Sequence, residues 1–251
     1  MRIMSFNLRY DNVEDGQYRW SNRFPAIKEV WEKHSPDIVG IQEGLPHQIA
    51  DLKSTLKSYN YFGTGRTKDE KSEQIGIFYK KNQDLQVEDS GHFWLSKTPH
   101  IKGSKDFNSD VPRLANWILF NFKNSLNKIM FINTHYDNVS RLAREKSSEI
   151  ISDFIKKRGK HDKLILTGDF NTRAGSRSIK TLLKELYLKD ALFEIGIEDK
   201  TFHNFEGEGI FRIDYIFCSK DIKIKDGKVI KSKYHDIYPS DHYPIYVDLA
   251  F

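Results

Sequence analysis

Residues 163–171 read KLILTGDFN, an apolar run that ends abruptly in a glycine, a carboxylate and an amide. A short continuous apolar run is typical of a buried strand, so we predict one at 163–167. Asp169 and Asn171 follow that strand directly. A carboxylate at a strand end most often forms a turn, so this stretch by itself fits an ordinary loop as well as a functional site.

The same pattern recurs along the chain. In each case an apolar strand candidate adjoins side chains that can bind a cation or carry a proton. These side chains are Asn7 after 3–6, Glu43 after 38–42, His135 after 129–134, Asp214 after 211–213, and Asp241 with His242 before 245–249. Because loops on a rigid scaffold collect functional residues, the repetition predicts that these strand ends form one rim.

Strand candidates alternate with segments of helical period over the rest of the chain, which is typical of a layered α/β domain. Helices are predicted at 24–33, 46–56, 140–157 and 178–186, and further strands at 75–79, 117–122, 222–225 and 228–234. Asp226-Gly227 between the last two strands predicts a hairpin turn. The polar stretch 103–112 is too short to separate domains, so we predict a single domain over 1–251.

Composition narrows the class of protein. The chain has 251 residues, a net charge of +5 and one cysteine, Cys218. No intramolecular disulfide can form, and the apolar run 215–218 predicts that this cysteine is an inert strand residue. Residues 1–7 read as a strand rather than as a leader, and no run reaches membrane-spanning length. We therefore expect a cytoplasmic monomer without integral membrane contact, whose small basic excess fits an anionic, phosphorylated substrate.

The motifs that the sequence lacks exclude several familiar kinds of site. There is no P-loop, no GxGxxG after the first strand, no GxSxG and no HExxH. Nucleotide-driven enzymes, Rossmann domains, serine hydrolases and the common zinc sites are therefore excluded. Carboxylate and amide oxygens favour a hard cation, so we predict a Mg²⁺ or Mn²⁺ site with Glu43 as the best candidate ligand. Asn7 and Asp241 are further candidate ligands.

Six sequence blocks, taken in order, resemble the endonuclease/exonuclease/phosphatase superfamily, which includes deoxyribonuclease I, neutral sphingomyelinases and inositol polyphosphate 5-phosphatases. The blocks are SFNLR (5–9), IQE (41–43), NTH (133–135), GDFN (168–171), RIDYIF (212–217) and SDHYP (240–244). Trp20, Arg23, FWLS (93–96) and Pro112-Arg113 resemble a bacterial branch of metal-dependent hydrolases. The resemblance implies a four-layer α/β sandwich, in which helices flank two facing mixed β-sheets and 1–251 is one catalytic domain.

The resemblance also implies roles for the metal and water side of the site. Glu43 would be the principal metal ligand, and Asn7 would lie at the same site or in its first water shell. Asp169 would orient or deprotonate the attacking water. Asn171 would hold that water or a phosphate oxygen. Asp241 would face the metal.

The phosphate side of the site is implied in the same way. His242 would contact the scissile phosphate, with Asp214 fixing its tautomer and favouring its charged form. His135 would stabilise the transition state or protonate the leaving oxygen, with Glu73 behind it and Glu70 as a nearby alternative. Three arginines are candidate phosphate clamps, with a structural salt bridge as an equal alternative for each. They are Arg9, Arg66 and Arg113.

We therefore predict a divalent-metal-dependent phosphoesterase, with a phosphodiesterase or nuclease that uses in-line attack of water as the leading interpretation. Its partner would be a phosphorylated anion such as nucleic acid or a nucleotide, although the chain has no dense basic stripe. A lipid head group or a small phosphorylated metabolite is the alternative substrate, and a catalytically silent binding module is a third hypothesis. Trp20, Trp94, Trp117 and Phe202 are candidates for stacking on substrate, with core packing favoured for Trp117.

Overall fold

Strands and helices alternate in the computed structural model, which describes residues 1–69, 71–81, 84–123 and 125–251. The strands are β1 (Arg2–Asn7), β2 (Ile38–Gly44), β3 (Tyr59–Gly65), β4 (Gln74–Lys80), β5 (Leu85–Trp94), β6 (Leu114–Phe122), β7 (Ile129–His135), β8 (Lys163–Asp169), β9 (Leu188–Asp190), β10 (Asp214–Ser219), β11 (Lys223–Val229) and β12 (Ile245–Ala250). The helices are α1 (Trp20–His34), α2 (Pro46–Thr55), α3 (Arg141–Arg158), α4 (Arg177–Glu185) and α5 (Ala191–Glu194).

The strands form two six-stranded mixed sheets of the same design. Their orders are β11-β12-β1-β2-β4-β3 and β5-β6-β7-β8-β10-β9. Each sheet centres on a parallel pair, β1 with β2 or β7 with β8, and the intervening helix is α1 or α3. Antiparallel strands pair with both sides of each parallel pair. The carboxyl ends of the parallel strands therefore share an edge with the starts of the antiparallel ones.

Both faces of each central strand are buried, which explains the continuous apolar runs in the sequence. Ile3 on β1 packs with residues of the second sheet, such as Phe131, in a layer between the two sheets. Its neighbour Met4 points the other way and packs with Val30 of α1. Ile151 of α3 covers the outer face of the second sheet in the same manner. The predicted four-layer α/β sandwich with two facing mixed sheets is confirmed.

A polar layer joins the two sheets within this apolar interior. Gln42 Nε2 on β2 donates to Asn133 Oδ1 on β7 at 2.7 Å. Asn133 Nδ2 donates back across the layer to the carbonyl oxygens of Ile41, at 2.8 Å, and Gly76, at 3.0 Å. Gly40 has to be glycine here, because a Cβ atom at that position would lie 2.4 Å from Asn133 Oδ1. These directional bonds therefore set how one sheet sits on the other.

Replacing Asn133 with alanine is expected to lower the free energy of unfolding by about 2–3 kcal/mol, because the change leaves buried polar groups without hydrogen-bond partners. The side chain is fully buried, and it bonds three partners on the opposite sheet. Urea denaturation followed by circular dichroism measures the effect. Asn60→Ala, at an exposed position of β3, is the control and should stay within about 0.5 kcal/mol of wild type. Equal midpoints for the two variants would contradict this prediction.

Two predictions about local structure are wrong. Asp226 and Gly227 do not form a hairpin turn, because residues 223–229 are a single strand that pairs along β12. An irregularity in the register between Ile224 and Asp226 lets the Asp-Gly pair remain in the ladder. Trp20 and Trp94 are 3% and 2% exposed, so they belong to the core rather than to a stacking surface.

Two other predictions hold. Cys218 is a fully buried residue of β10, and burial raises the pKa of its thiol to about 12, which is the environment of an inert cysteine. Trp117, at 6% exposure, packs in the core as favoured from the sequence. Over the described part of the chain, no helix combines the length and the apolar character that crossing a membrane requires.

Candidate active site

The predicted site residues lie where the central strands of both sheets meet at one end of the sandwich. The parallel strands contribute residues at their carboxyl ends: Asn7, Glu43, His135 and Asp169. The antiparallel strands contribute residues at or just before their starts: Glu73, Arg113, Asp214 and the pair Asp241-His242. The shared edge of each sheet thus explains why residues spread over most of the chain come together.

These residues surround a cavity of about 570 Å³. Ten of the twelve predicted site residues line it. The remaining two, Asn7 and Asp214, lie behind the lining and bond to residues that form it. The structure therefore brings the predicted residues together at one cavity, while the assignment of this cavity as the active site and the individual roles stay predictions.

Asn7 holds two carboxylates together at the inner end of the cavity. Its Nδ2 donates to Glu43 Oε1 at 2.9 Å and to Asp169 Oδ2 at 3.1 Å. Its own amide oxygen accepts from the backbone N–H of Arg9 at 2.9 Å. The contacts of Asn7 therefore fit a residue that positions the carboxylates, and its direct ligation of a metal stays a prediction.

Glu43 reaches the cavity through an unusual backbone conformation. Its φ is +62°, in the left-handed region, and the pairing of β2 with β4 is irregular between Ile41 and Gly44. Bulges near the ends of strands re-aim side chains, and non-glycine residues at positive φ concentrate at functional sites. Asn171, with a φ of +48°, leaves β8 in a comparable way.

The carboxylates of the site are close enough together to raise one another's pKa values. Burial, together with the charges of Asp214 and Glu43, raises the pKa of Asp169. Burial and the charge of Glu43 also raise the pKa of Asp241. An oxygen-rich cluster of this kind fits a hard divalent cation such as Mg²⁺ or Mn²⁺. Glu43, Asp169 and His135 each offer a ligand atom within 4.8 Å of the others, so Glu43 would hold the ion here, and ligation by Asp241 stays a prediction.

His242 is placed to act as a charged hydrogen-bond donor. Its Nδ1 lies 2.8 Å from Asp214 Oδ2, and its Nε2 lies 3.8 Å from Asp169 Oδ2 on the cavity side. Burial works against a charged ring, but the charges of Asp214 and Asp169 outweigh it and raise the pKa of His242 well above its ordinary value. Both ring nitrogens then carry protons, with Nδ1 bonded to Asp214 and Nε2 directed at the cavity.

His135 is placed in the opposite protonation state. Burial, followed by the charges of Arg113 and Arg66, lowers the pKa of His135 well below its ordinary value. Asn171 Nδ2 lies 3.1 Å from His135 Nε2, which places the acceptor nitrogen toward the cavity. Environments that push two pKa values apart assign different roles to similar groups. A neutral His135 fits hydrogen bonding in the site rather than protonation of the leaving oxygen, so the first of its two predicted roles is favoured.

The three predicted arginine clamps differ in how far they are already paired. Arg66 forms a two-point ion pair with Glu73, at 2.7 and 2.8 Å, and Arg9 does the same with Asp15, at 2.8 and 3.0 Å. Arg113 is 7% exposed and donates from Nη2 to Asn138 Oδ1 at 3.0 Å, but it has no two-point carboxylate partner, and its Nε has no hydrogen-bond partner in the described part of the chain. Arg113 is therefore the best placed of the three to take a phosphate oxygen.

Glu73 lies at the cavity but not in the predicted position behind His135. Both of its carboxylate oxygens bond to Arg66. His135 has Asn171, Asp169 and Glu43 around Nε2 instead. Because a long β3–β4 connection carries Glu73, its partner could not be read from the spacing. The alternative, Glu70, lies outside the described residues.

The outer part of the cavity is lined by Phe202, a candidate from the sequence for stacking on substrate, and by residues that the sequence did not single out. Phe202 forms single bridges with Phe211 and with His242, so the three side chains stand in a row on one face. The Phe202 ring lies 5.0 Å from the His242 ring, centre to centre. The other additional polar or aromatic residues at the cavity are Tyr10, Asp110, Asn138 and Asn204. The closeness of Phe211 to Asp214 in sequence was the one available signal.

Comparison with known proteins finds solved structures that match nearly the whole chain. A mannosyl-6-phosphatase of Bacteroides thetaiotaomicron VPI-5482 is 33% identical, with 100% of both chains covered and a TM-score of 0.92. An endonuclease/exonuclease/phosphatase from Bacteroides vulgatus is 32% identical over 99% of this chain and 98% of that one, with a TM-score of 0.92.

A more distant relative shares a smaller part of the chain. Phospholipase C of Staphylococcus aureus is 27% identical over 124 residues, which are 44% of this chain and only 38% of the relative. The sequence model of the endonuclease/exonuclease/phosphatase family matches residues 4–242, nearly the whole length. Members of this family hydrolyse phosphate esters. The chain therefore belongs to the endonuclease/exonuclease/phosphatase family.

Proposed function

We propose that this protein is a divalent-metal-dependent phosphatase that removes phosphate from a sugar or a similarly small polyol. The observation that carries the proposal is the cavity, whose volume of about 570 Å³ suits a small molecule. Its full-length likeness to a mannosyl-6-phosphatase supports the same substrate class. The substrate class is thus the alternative drawn from the sequence, a small phosphorylated metabolite, rather than nucleic acid.

The two ends of the cavity suit the two parts of such a substrate. The inner end offers Arg113 and the His242 Nε2 proton to phosphate oxygens. The outer end offers the faces of Phe202 and Phe211, on which the C–H face of a sugar ring can pack. Asp110 and Asn204 there can bond hydroxyl groups, and a carboxylate at the rim disfavours a polyanionic backbone.

The residues at the inner end of the cavity have separate roles in hydrolysis. Asp169 Oδ2 lies 3.5 Å from His135 Nε2 and 3.8 Å from His242 Nε2, so it orients a water between the two rings as acceptor. The His242 imidazolium donates to the oxygens on which negative charge develops. A bound divalent cation would add further neutralisation of that charge.

A substrate panel tests the proposal directly. Purified protein is assayed with Mg²⁺, Mn²⁺ or EDTA against hexose 1- and 6-phosphates, glycerol phosphate, nucleoside monophosphates, single-stranded DNA, sphingomyelin and an aryl phosphodiester. We expect metal-dependent phosphate release, fastest from a hexose phosphate and abolished by EDTA. Cleavage of DNA or of the diester alone would overturn the proposal and restore the nuclease interpretation.

Arg113→Met is expected to lower kcat/KM roughly 100-fold, because the substitution removes a charged donor from the phosphate. The fold should survive the change. Asp137, the acidic neighbour of Arg113 at 3.7 Å, also accepts from Ser109 and from the backbone N–H groups of Asp110, Val139 and Ser140.

Initial rates measured against substrate concentration report the effect of Arg113→Met. The control is Arg141→Met on α3, where the side chain is 81% exposed, and it should leave kcat/KM unchanged. If Arg113→Met behaves like this control, the arginine does not bind the phosphate.

A further inference from the structure

Arg23 is a fully buried cation that bonds no carboxylate among the described residues. Its guanidinium donates to four backbone carbonyl oxygens: Tyr18 at 2.6 Å, Leu8 and Pro239 at 2.7 Å each, and Arg9 at 2.9 Å. The fork of N–H groups on an arginine is rigid, so four such bonds fix their acceptors relative to one another.

Two of the segments that Arg23 joins lead directly into the candidate active site. Leu8 and Arg9 follow Asn7, the residue that holds Glu43 and Asp169. Pro239 lies two residues before Asp241 and three before His242. The pairing of β1 with β12 ends at Ser5 and Ile245, so the ladder does not tie these two segments together. Arg23 spans them beyond that point.

The stability of α1 does not account for a cation at this position. Arg23 lies in the first turn of α1, where the helix dipole disfavours positive charge. Burial also opposes the charge and lowers the pKa of Arg23 to about 10, which leaves it protonated at neutral pH. An apolar residue would serve packing alone at a lower electrostatic cost.

Two side chains fix the backbone carbonyl of Arg9. It accepts from Arg23 and also from Gln48 Nε2 at 3.0 Å. Arg9 has a φ of +54°, a conformation that persists only when its surroundings enforce it. The next residue, Tyr10, donates its backbone N–H to Glu43 Oε2 at 3.3 Å. A shift of this segment would therefore move a contact of the main candidate ligand.

We propose that Arg23 is a positioning residue that sets the separation between the Asn7–Glu43 side and the Asp241–His242 side of the active site. It touches neither substrate nor metal, and it acts through the backbone of residues 8–9 and 239. The proposal rests on the proposed function, because it concerns the geometry of the same metal and phosphate site. Loss of a residue that orients metal ligands commonly lowers metal affinity or activity roughly 10–100-fold, and we expect an effect of this size here.

The test compares Arg23→Lys with Ile27→Ala, which lies one turn further along α1 and is buried in the core. Mn²⁺ binding to each protein alone is measured by calorimetry, and kcat and KM are measured on the best substrate of the panel. We expect Arg23→Lys to weaken Mn²⁺ binding and lower kcat, each roughly 10–100-fold, with little change in KM. Ile27→Ala should lose stability yet keep the Mn²⁺ affinity and kcat of wild type.

The outcomes separate the two proposals. Equal Mn²⁺ affinity and kcat in Arg23→Lys and Ile27→Ala would overturn the positioning role alone. A wild-type protein that binds no Mn²⁺ and hydrolyses nothing would overturn the proposed function, and the positioning role with it. If Arg23→Lys cannot be purified folded, Arg23→Ala stabilised by low guanidinium gives the same comparison. Mn²⁺ affinity must then fall as guanidinium is removed, before the protein unfolds, and an affinity that does not fall overturns the positioning role.

Discussion

Replacing His242 with asparagine should reduce kcat by about 10³- to 10⁴-fold, because the site loses a charged donor that acts on the transition state. Asparagine is preferable to alanine as the replacement. Among the described residues, His242 is the one side chain within hydrogen-bond distance of the Asp214 carboxylate, and asparagine retains a donor that can reach this buried group. The loss should therefore appear in turnover with the fold preserved. Single-turnover rates and near-ultraviolet circular dichroism measure the two effects separately.

The matched control for this change is His100→Asn, at an exposed loop position. It should match wild type in kcat and KM. A rate for His242→Asn within tenfold of wild type would show that the His242–Asp214 pair is structural. A loss of near-ultraviolet signal in that variant would instead assign the effect to unfolding.

Replacing Glu43 with glutamine should weaken Mg²⁺ or Mn²⁺ binding at least about 100-fold, because a hard cation loses its main charged ligand. Stability should respond in the opposite direction when metal is absent. Burial raises the pKa of Asp169, Asp241 and Glu73, and the charge of Glu43 adds to the rise because the carboxylates repel one another. Removing one charge relieves that repulsion, so Tm in EDTA should be equal to or higher than that of wild type.

Thermal unfolding with and without Mg²⁺ measures both effects of Glu43→Gln together. A ligand present at 100 times its Kd stabilises a protein by about 2.7 kcal/mol, so wild type should melt at a higher temperature with metal, and Glu43→Gln should show no such rise. Glu185→Gln at the exposed end of α4 should behave as wild type. A metal-dependent rise in Tm that survives in Glu43→Gln would place the cation elsewhere.

The sequence predicted which residues meet at the cavity because strand ends have a simple signature. Apolar runs that stop at Glu43, His135 or Asp169 mark strands, and parallel strands must place their carboxyl ends on a common edge. The pairing of His242 with Asp214 came from the family resemblance, and the structure places the two 2.8 Å apart.

Contacts made by loops could not be predicted from the sequence. The partner of Glu73 depends on the path of the β3–β4 connection, and the same holds for Phe211, which a bridge to Phe202 brings to the cavity. The sequence indicated Arg23 only through the family resemblance. A side chain that bonds backbone carbonyls has no complementary residue in the sequence that could indicate its role. The Asp226-Gly227 pair failed as a turn signal because pairing with a neighbouring strand outweighed local preference.

The polar layer between the sheets has a consequence for catalysis as well as for stability. Glu43 lies on a strand of one sheet, and His242 lies on the segment that leads into β12 of that sheet. His135 and Asp169 lie on strands of the other sheet, so neither sheet carries a complete set of reacting groups. Apolar contacts alone would tolerate small sliding of one sheet across the other, whereas the bonds of Asn133 to Gln42, Ile41 and Gly76 hold at one alignment only. Slippage of an ångström would leave both sheets folded and the enzyme silent. The rate of hydrolysis therefore reports on the alignment of the two sheets. Under mild denaturant, we expect this rate to fall before the strands separate.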